Sequence, residues 1–499
     1  MSLNLATMLR ESAVARPNKP VALYDGGRVS YAELDALSDR FAAGLRASDL
    51  DRGDCVGLHL PNIPQFLVAY FGVLKAGCIA IPLNVLLKAP ELAYCLSDAE
   101  ARMLVTWAGI ADEAIKGAGE AGVPALCVVN TPGVPEPSVG RRFEELLAME
   151  PESPPMVQTD PGDTAAIVYT SGTTGTPKGA ELTHFQLFMN ADTPGRVFGI
   201  RDDDIVMVAL PLFHVFGLSS QLNVCVRFGA TMSLVPRFDA TKALEVIQRD
   251  GVTIFEGVPT MYVAMLRAPN LGAYDVSTLR IGISGGAPLP AEVLDAFEEK
   301  FGIVILEGYG LTETASTTTF NVSADERKIY SVGKPIWGVE VQIWDDEKQP
   351  LPVGSENVGE IMIRGVNTMR GYFRKPKETA AAFTDGWFHS GDLGYCDEDG
   401  FYFIVDRKKD LIIRAGYNVY PREVEEVLYT HPAIANAAVI GIPDDRVGEE
   451  IKAFVQPKVG ATPSEGEIIE YVKKRSRRTS MRGASSSGTI FQSGRPARS

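Results

Sequence analysis

The sequence predicts an α/β fold. It comprises a large N-terminal domain of layered α/β subdomains plus a β-rich subdomain, and a small α+β C-terminal domain. Three observations predict it. Short apolar runs alternate with helical periodicity through the first 284 residues, the pattern of strands joined by crossover helices in a mostly parallel sheet. After Ile336 the texture changes to short strands separated by turns. The chain of 499 residues is also too long for one ordinary domain.

The elements follow in order. Ile63–Ala76 carries apolar residues at helical spacing, and Cys78–Leu83 reads as a short buried strand. Lys75 and Pro82 interrupt the apolar stretch Phe66–Leu87, so a buried helix–strand unit fits better than a membrane span. Further strands are predicted at Ala101–Val105, Ala125–Val129, Ala165–Tyr169, Ile205–Ala209, Thr231–Val235, Thr253–Glu256 and Leu279–Ser284. Thr131–Pro161 is rich in Pro, Glu and Ser and reads as a surface connection. A helix is predicted at His184–Asn190. Beyond Ile336, VEVQIWDD, GEIMIRG and GFYFIVDR read as strands. A final unit from Asp406 holds a helix at Pro421–Leu428, with proline at its start, and strands at Ala437–Ile440 and Ile451–Pro457.

Charge and cysteine usage exclude several classes. A net charge of −15 disfavours nucleic acid or an anionic membrane as the main partner. The six cysteines are scattered without a C-x-x-C pair, which argues against a zinc site or a disulfide framework and for a reducing compartment. The opening MSLNLATMLRESA lacks the basic-then-apolar order of a signal peptide. A cytoplasmic location is therefore expected.

The densest motif is TSGTTGTPK, Thr170–Lys178, entered from the strand AAIVY. Hydroxyl side chains between glycines offer many donors and close backbone approach, and Lys178 adds a positive charge. Such a loop suits a triphosphate. Pro177 before Lys178 separates it from the Walker loop.

With YTSGTTGTPKGAELTH, the chain carries in order PLFHVFG, SGGAPL, EGYGLTET, GWFHSGDLG, DRKKDLIIRAGYNVYP and VIGIPD. In these motifs the sequence resembles the AMP-forming ligase superfamily of acyl-CoA synthetases, adenylation domains and luciferases, and most of all bacterial fatty acyl-CoA synthetases. The resemblance runs from about Ser30 to Val472. It implies two steps, acyl-adenylate formation from a carboxylate and ATP, then displacement of AMP by the thiol of coenzyme A.

The resemblance also implies residue roles. Thr170, Ser171, Gly172, Thr173, Thr174, Gly175 and Lys178 would hold the β- and γ-phosphates. Gly285, Gly286, Ala287, Glu307, Gly308 and Tyr309 would form the adenine slot. Thr312 would bond the α-phosphate and Glu313 would hold Mg²⁺. Asp392, helped by Arg407, would bind the ribose. His214 would gate between the carboxylate site and the CoA channel. Phe216, Ser220, Gly286, Gly310 and Ser316 would line the acyl pocket. Small residues at Gly286, Gly310 and Ser316 leave room for a fatty acid, or in the alternative an aryl acid, and the lack of Arg or Lys argues against a dicarboxylate. Lys409 would be the hinge, and Gly416 would let the pantetheine arm approach. The domains would be 1–408, 409–474 and a basic tail, 475–499, without ordered structure. A homodimer and peripheral membrane contact are compatible with this class.

Two features stand apart. Gly282–Gly286 fits G-x-S-x-G, the nucleophile elbow of α/β-hydrolases, but no HGGG-type loop precedes Ser284. The residues after Val472 also depart from the family, whose ending carries a Gly-Lys segment that serves adenylation. Here KKRSRRTSMRGASSSGTIFQSGRPARS has eight basic residues and no acidic one. Read one base out of register from the third base of the Arg475 codon, allowed codons spell L-A-A-Y-K-Y-A-R-R-I-E-F-R-D-D-L-P-K-W-P-A-G-K-I, the family's expected ending. The lysine would then be encoded across the Ala497–Arg498 boundary. Weakened adenylation is expected, and a catalytically weak nucleotide- and acyl-binding protein is the alternative of a different class.

Overall fold

Ser30 starts the first long helix, Tyr31–Arg46. Its hydroxyl accepts the Glu33 N–H while the Glu33 carboxylate accepts the Ser30 N–H, which satisfies two end groups at once. Leu34, Phe41 and Leu45 form the buried face. The next helix, Pro64–Lys75, begins on proline and is enclosed along nearly its whole length. Even Lys75 at its end is 0% exposed, its ammonium 2.6 Å from Asp35 and 2.7 Å from Asp39.

The structure, a computed structural model, describes residues 2–135, 137, 139–151, 156–170, 176–414, 417–444, 446–458, 460–475 and 490–493. The chain divides into two compact units. The first is Met1–Glu340 with Ile363–Phe388, and the second is Val341–Met362 with His389–Ser499.

The first unit holds two large sheets. In the nine-stranded sheet, Val304–Tyr309, Ile281–Ser284, Ile254–Gly257, Ile205–Val208, Thr231–Leu234 and Pro20–Tyr24 run parallel in that spatial order. Antiparallel strands close both edges. In the eight-stranded sheet, Thr164–Thr170, Ile79–Pro82, Cys55–His59, Ala101–Trp107 and Ala125–Val129 are parallel neighbours, and Lys178–Thr183 folds back antiparallel on Thr164–Thr170. Strands buried on both faces read as apolar runs, which is why the sequence reveals them. One apolar core packs Phe255, Tyr262 and Phe297 together against the nine-stranded sheet.

Strands Val339–Trp344, Gly359–Gly365, Trp387–Cys396, Phe383–Thr384 and Tyr402–Arg407 form a third sheet of five. In the second unit, helix Pro421–Tyr429 and helix Glu465–Arg475 pack on strands Ile434–Asp444 and Gly448–Pro457 through Val424, Leu428, Val439, Ile451 and Ile468. Among the described residues no helix is long and apolar enough to cross a membrane.

Three differences from the sequence reading have physical causes. The helix expected at His184–Asn190 continues to Val197 because its buried face, Leu187, Asn190, Ala191 and Pro194, continues. The stretch Thr131–Pro161 is not wholly a surface connection. It contains a helix, Phe143–Leu147, whose Phe143 and Leu146 are buried, with the Phe143 ring 5.1 Å from that of Phe41. A polar average hid this i, i+3 anchor. The basic tail contributes one strand, Ile490–Ser493, parallel to Gly448–Pro457. Its Ile-Phe pair carries β-propensity, and it adds to a ladder that already exists.

Candidate functional site

The first unit brings its site together at the carboxyl ends of parallel strands, where α/β sheets leave a crevice. Ile254–Gly257, Ile281–Ser284 and Val304–Tyr309 are adjacent and end in the turns that carry Val258, Gly285–Pro288 and Gly310–Thr314. Glycine is required at Gly310, and Gly285 has little room to spare. A Cβ on Gly310 would land on the Ser316 carbonyl oxygen, and one on Gly285 would meet the Phe216 ring at 3.1 Å. Phe216 and Ser220 lie on a π-helical segment, Phe216–Asn223, a rare geometry that frequently occurs at functional sites.

Ser316 adopts a φ of +116°, next to Ala315 at +57°. A non-glycine residue held there costs about 1–3 kcal/mol. Two contacts hold it. Ser220 and Ser316 share a hydroxyl hydrogen bond of 2.8 Å, and the Asn190 amide accepts the Thr317 N–H at 2.9 Å while donating to its carbonyl at 2.8 Å. The structure thus gathers Phe216, Ser220, Gly310 and Ser316 with Gly285, and Gly286 follows at φ +79°. His214 opens to solvent two residues before Phe216, whose N–H it accepts at 3.2 Å. Although its edge is exposed, desolvation by the neighbouring protein lowers its pKa from the ordinary histidine value, so the ring is neutral near pH 7.

A charged end adjoins the other sheet. Thr170 and Lys178 face each other across the Thr164–Thr170 and Lys178–Thr183 strands. Ser171, Gly172, Thr173, Thr174 and Gly175 lie outside the described residues. The Lys178 ammonium sits 5.2 Å from the centroid of the Tyr372 ring. The Tyr372 hydroxyl donates to Glu313 Oε1 at 2.9 Å. Burial, then the Glu313 charge, raises the Tyr372 pKa, so the phenol stays a donor. The strand Gly371–Tyr372 pairs with Lys178–Thr183, and the Met369 N–H donates to the Glu313 carbonyl at 2.7 Å. Glu307 Oε1 accepts the Leu289 N–H at 3.1 Å, which ties the turn holding Gly286 and Ala287 to the strand holding Gly308 and Tyr309. Thr312 begins the short turn that carries Glu313.

The donor set fits a hard divalent cation bound chiefly through substrate phosphates. No cluster of three His, Cys, Asp or Glu exists among the described residues, and Mg²⁺ in phosphate sites takes one or two carboxylates plus phosphate and water. Glu313 would supply one such carboxylate.

In the second unit, Asp392 and Arg407 are cross-strand partners, with Arg407 Nε 3.2 Å from Asp392 Oδ1. Asp392 is buried and Arg407 is half-exposed, so the aspartate is held while the guanidinium stays open to solvent. Lys409 is exposed in the turn Lys408–Asp410. Gly416 lies outside the described residues. The hydrolase motif has no support, because Ser284 is 1% exposed and its hydroxyl has no histidine partner among the described residues.

Sequence reasoning missed Tyr372. Its only local signal is an aromatic residue in RGYFRKP, between two arginines.

Comparison with known proteins agrees with this arrangement. Residues 9–373 match the AMP-binding enzyme family, and residues 423–482 match the AMP-binding enzyme C-terminal domain. A long-chain-fatty-acid–CoA ligase of Bacillus subtilis (strain 168) is 36% identical over 496 residues, covering 94% of this chain and 88% of that protein. A feruloyl-CoA synthase of Amycolatopsis sp is 36% identical over 460 residues, covering 92% and 90%. The crystal structure of ATP-bound MatB from Rhodopseudomonas palustris superposes with a TM-score of 0.90 at 33% identity, covering 100% of this chain and 96% of that one. The chain belongs to the AMP-binding enzyme family, as an AMP-forming acyl-CoA ligase.

Proposed function

We propose that the protein activates a fatty acid of medium or long chain as its CoA thioester, consuming ATP. The carboxylate oxygen attacks the α-phosphorus of ATP and displaces pyrophosphate. The CoA thiol then attacks the acyl carbon and displaces AMP. The chemistry needs positioning and charge neutralisation more than covalent catalysis.

The observation that carries this reading is the meeting of Lys178, Tyr372 and Glu313 beside Thr170. Lys178 has no carboxylate within ion-pair distance among the described residues, in a chain of net charge −15. It is available to phosphate. Thr312 would bond the α-phosphate, and Tyr309 would stack on the adenine between Gly308 and the Gly285–Ala287 turn. Asp392 and Arg407 would hold the ribose. Mg²⁺, held by Glu313, would neutralise phosphate charge. His214, neutral near pH 7, would gate the carboxylate site. Lys409 would be the hinge of a small domain spanning 409–474, with Gly416 at the pantetheine channel. The likeness to the Bacillus long-chain ligase supports a fatty acid. The likeness to the feruloyl-CoA synthase favours a second reading, an aryl acid.

Residues 476–499 contain no lysine. We infer weakened adenylation, since a missing charge at the developing phosphate charge costs about 10²–10³ in rate. Carboxylate-dependent pyrophosphate release tests both statements. The 499-residue chain and a version carrying the shifted-frame ending are compared with Mg·ATP, CoA and acids from acetate to palmitate plus cinnamate. Turnover by the second version alone supports both. Equal turnover refutes the tail argument, and no turnover by either refutes the ligase reading.

A further inference from the structure

Helix Ala89–Asp98 ends beside the charged part of the site, and its last turns hold three separate segments. The Tyr94 hydroxyl donates to the Pro177 carbonyl at 2.9 Å. Pro177 precedes Lys178 and lies beyond the last ladder pair, Thr170 with Lys178, so its carbonyl takes a side-chain donor. The Tyr169 hydroxyl donates to Asp98 Oδ2 at 2.9 Å and lies 3.1 Å from the Cys95 carbonyl oxygen. Tyr169 precedes Thr170. Asp98 Oδ1 accepts from the Lys375 ammonium at 2.6 Å. The Lys375 N–H in turn donates to the Tyr372 carbonyl at 3.0 Å. Just past the helix, Glu100 pairs with Arg374.

These bonds are sheltered. The Asp98 side chain is 14% exposed, and shielding from water strengthens both of its contacts relative to a surface pair. The hydrogen bond to Asp98 raises the Lys375 pKa, so the ammonium stays charged. Burial, then the Asp98 charge, raises the Tyr169 pKa, so that phenol stays a donor. The Tyr94 and Tyr169 rings pack with Leu92, Leu96 and Ile167 on the core of the eight-stranded sheet. A packed apolar body therefore carries polar groups that bond within three residues of Thr170, Lys178 and Tyr372.

We propose that Tyr94, Asp98, Tyr169 and Lys375 are positioning residues for the triphosphate. They fix the spacing of Thr170, Lys178 and Tyr372 and touch no substrate themselves. Tyr169 holds the entry to the phosphate loop, Tyr94 its exit, and Lys375 the turn after Tyr372. Charge on phosphate is neutralised only by groups already in place, and a shift of about 1 Å removes much of the effect. The inference deepens the ligase reading and rests on it for the role of Lys178. In that reading AMP meets the adenine slot, the ribose pair and Thr312, and does not reach Lys178.

Calorimetry on the full chain, with Mg·ATP and with AMP as probes, tests the proposal. Tyr94→Phe keeps the packed ring and loses the bond to Pro177, so Mg·ATP should bind about three- to tenfold more weakly. Asp98→Asn keeps the volume and loses the ion pair, so the loss should be about tenfold or more. AMP affinity should be unchanged in both variants. A merely structural role would weaken both nucleotides alike. In a Lys178→Met background Tyr94→Phe should have a smaller effect, because the group it positions is gone. If Asp98→Asn fails to fold, Tyr94→Phe and Tyr169→Phe decide the matter. Equal losses for Mg·ATP and AMP, or an undiminished Tyr94→Phe effect beside Lys178→Met, overturn the proposal. Variants that keep the Mg·ATP affinity of an unaltered chain that binds both nucleotides overturn the positioning alone. An unaltered chain that binds neither nucleotide overturns the ligase reading, and the proposal falls with it.

Discussion

Replacing Tyr372 with phenylalanine isolates one atom at the charged end of the site. The ring beneath Lys178 stays, and only the hydroxyl that donates to Glu313 Oε1 at 2.9 Å is lost. A hydrogen bond to a charged acceptor contributes about 1.5–3 kcal/mol. Glu313 is partly exposed, which places the loss near the lower figure, about 1.5 kcal/mol. At 1.36 kcal/mol per decade, that is about a tenfold weaker hold on Mg·ATP. Tyr372→Leu also removes the cation–π contact, a further ~0.5–1 kcal/mol, for a total of roughly 30- to 70-fold. The assay is calorimetric titration of Mg·ATP, repeated over a Mg²⁺ series. A merely structural tyrosine would lower thermal stability and leave the Mg²⁺ dependence unchanged. Wild-type Mg·ATP affinity in Tyr372→Phe would refute the reasoning, as would a loss that is the same at every Mg²⁺ concentration.

The remaining predictions concern packing, charge and pH. Gly310→Ala should abolish measurable acid binding while Mg·ATP binding persists, because the added methyl collides with the Ser316 carbonyl; unchanged acid affinity in calorimetry would contradict the pocket geometry. Lys75→Met should destabilise the fold by about 3 kcal/mol in denaturant titrations, since it leaves the largely enclosed Asp35 and Asp39 with Arg10 as their only ion-pair partner among the described residues. Adding Asp35→Asn and Asp39→Asn should recover part of that loss, and no recovery would show that the charges are not the cause. Burial pushes His59 and His184 down to about 4. The unfolded chain binds protons more readily than the folded one between 6.5 and 4. Stability is therefore present above pH 6.5 and lost as pH falls toward 4, by up to about 3 kcal/mol per histidine. His184→Gln keeps an acceptor for the Leu5 N–H and should flatten that slope; superimposable slopes in pH-dependent unfolding would count against it.

Most of the scaffold was legible because parallel strands enclosed on both faces must be apolar runs. Ala125–Val129 falls on its predicted residues, and Thr231–Leu234 and Ile205–Val208 each fall one residue short. The motif order was legible too, since TSGTTGTPK and EGYGLTET each carry their chemistry within a few residues. Phe143 was not, because its partner Phe41 lies a hundred residues away and its neighbours are charged. Tyr372 was not, because it reaches Lys178 and Glu313 only when the Gly371–Tyr372 strand pairs with Lys178–Thr183. The strain at Ser316 was not, because the contacts that hold it come from Ser220 and Asn190 on separate helices.

The sequence alone therefore determined the α/β class, the family, and the residues that local spacing holds together. Only the tertiary structure decided which segments the end of helix Ala89–Asp98 holds together, what lies above the Tyr372 ring, and which glycines admit no methyl group. The physical reason is range. Periodicity and motif spacing act over a few residues of chain, whereas burial and site geometry depend on strand order and on contacts between residues far apart in sequence.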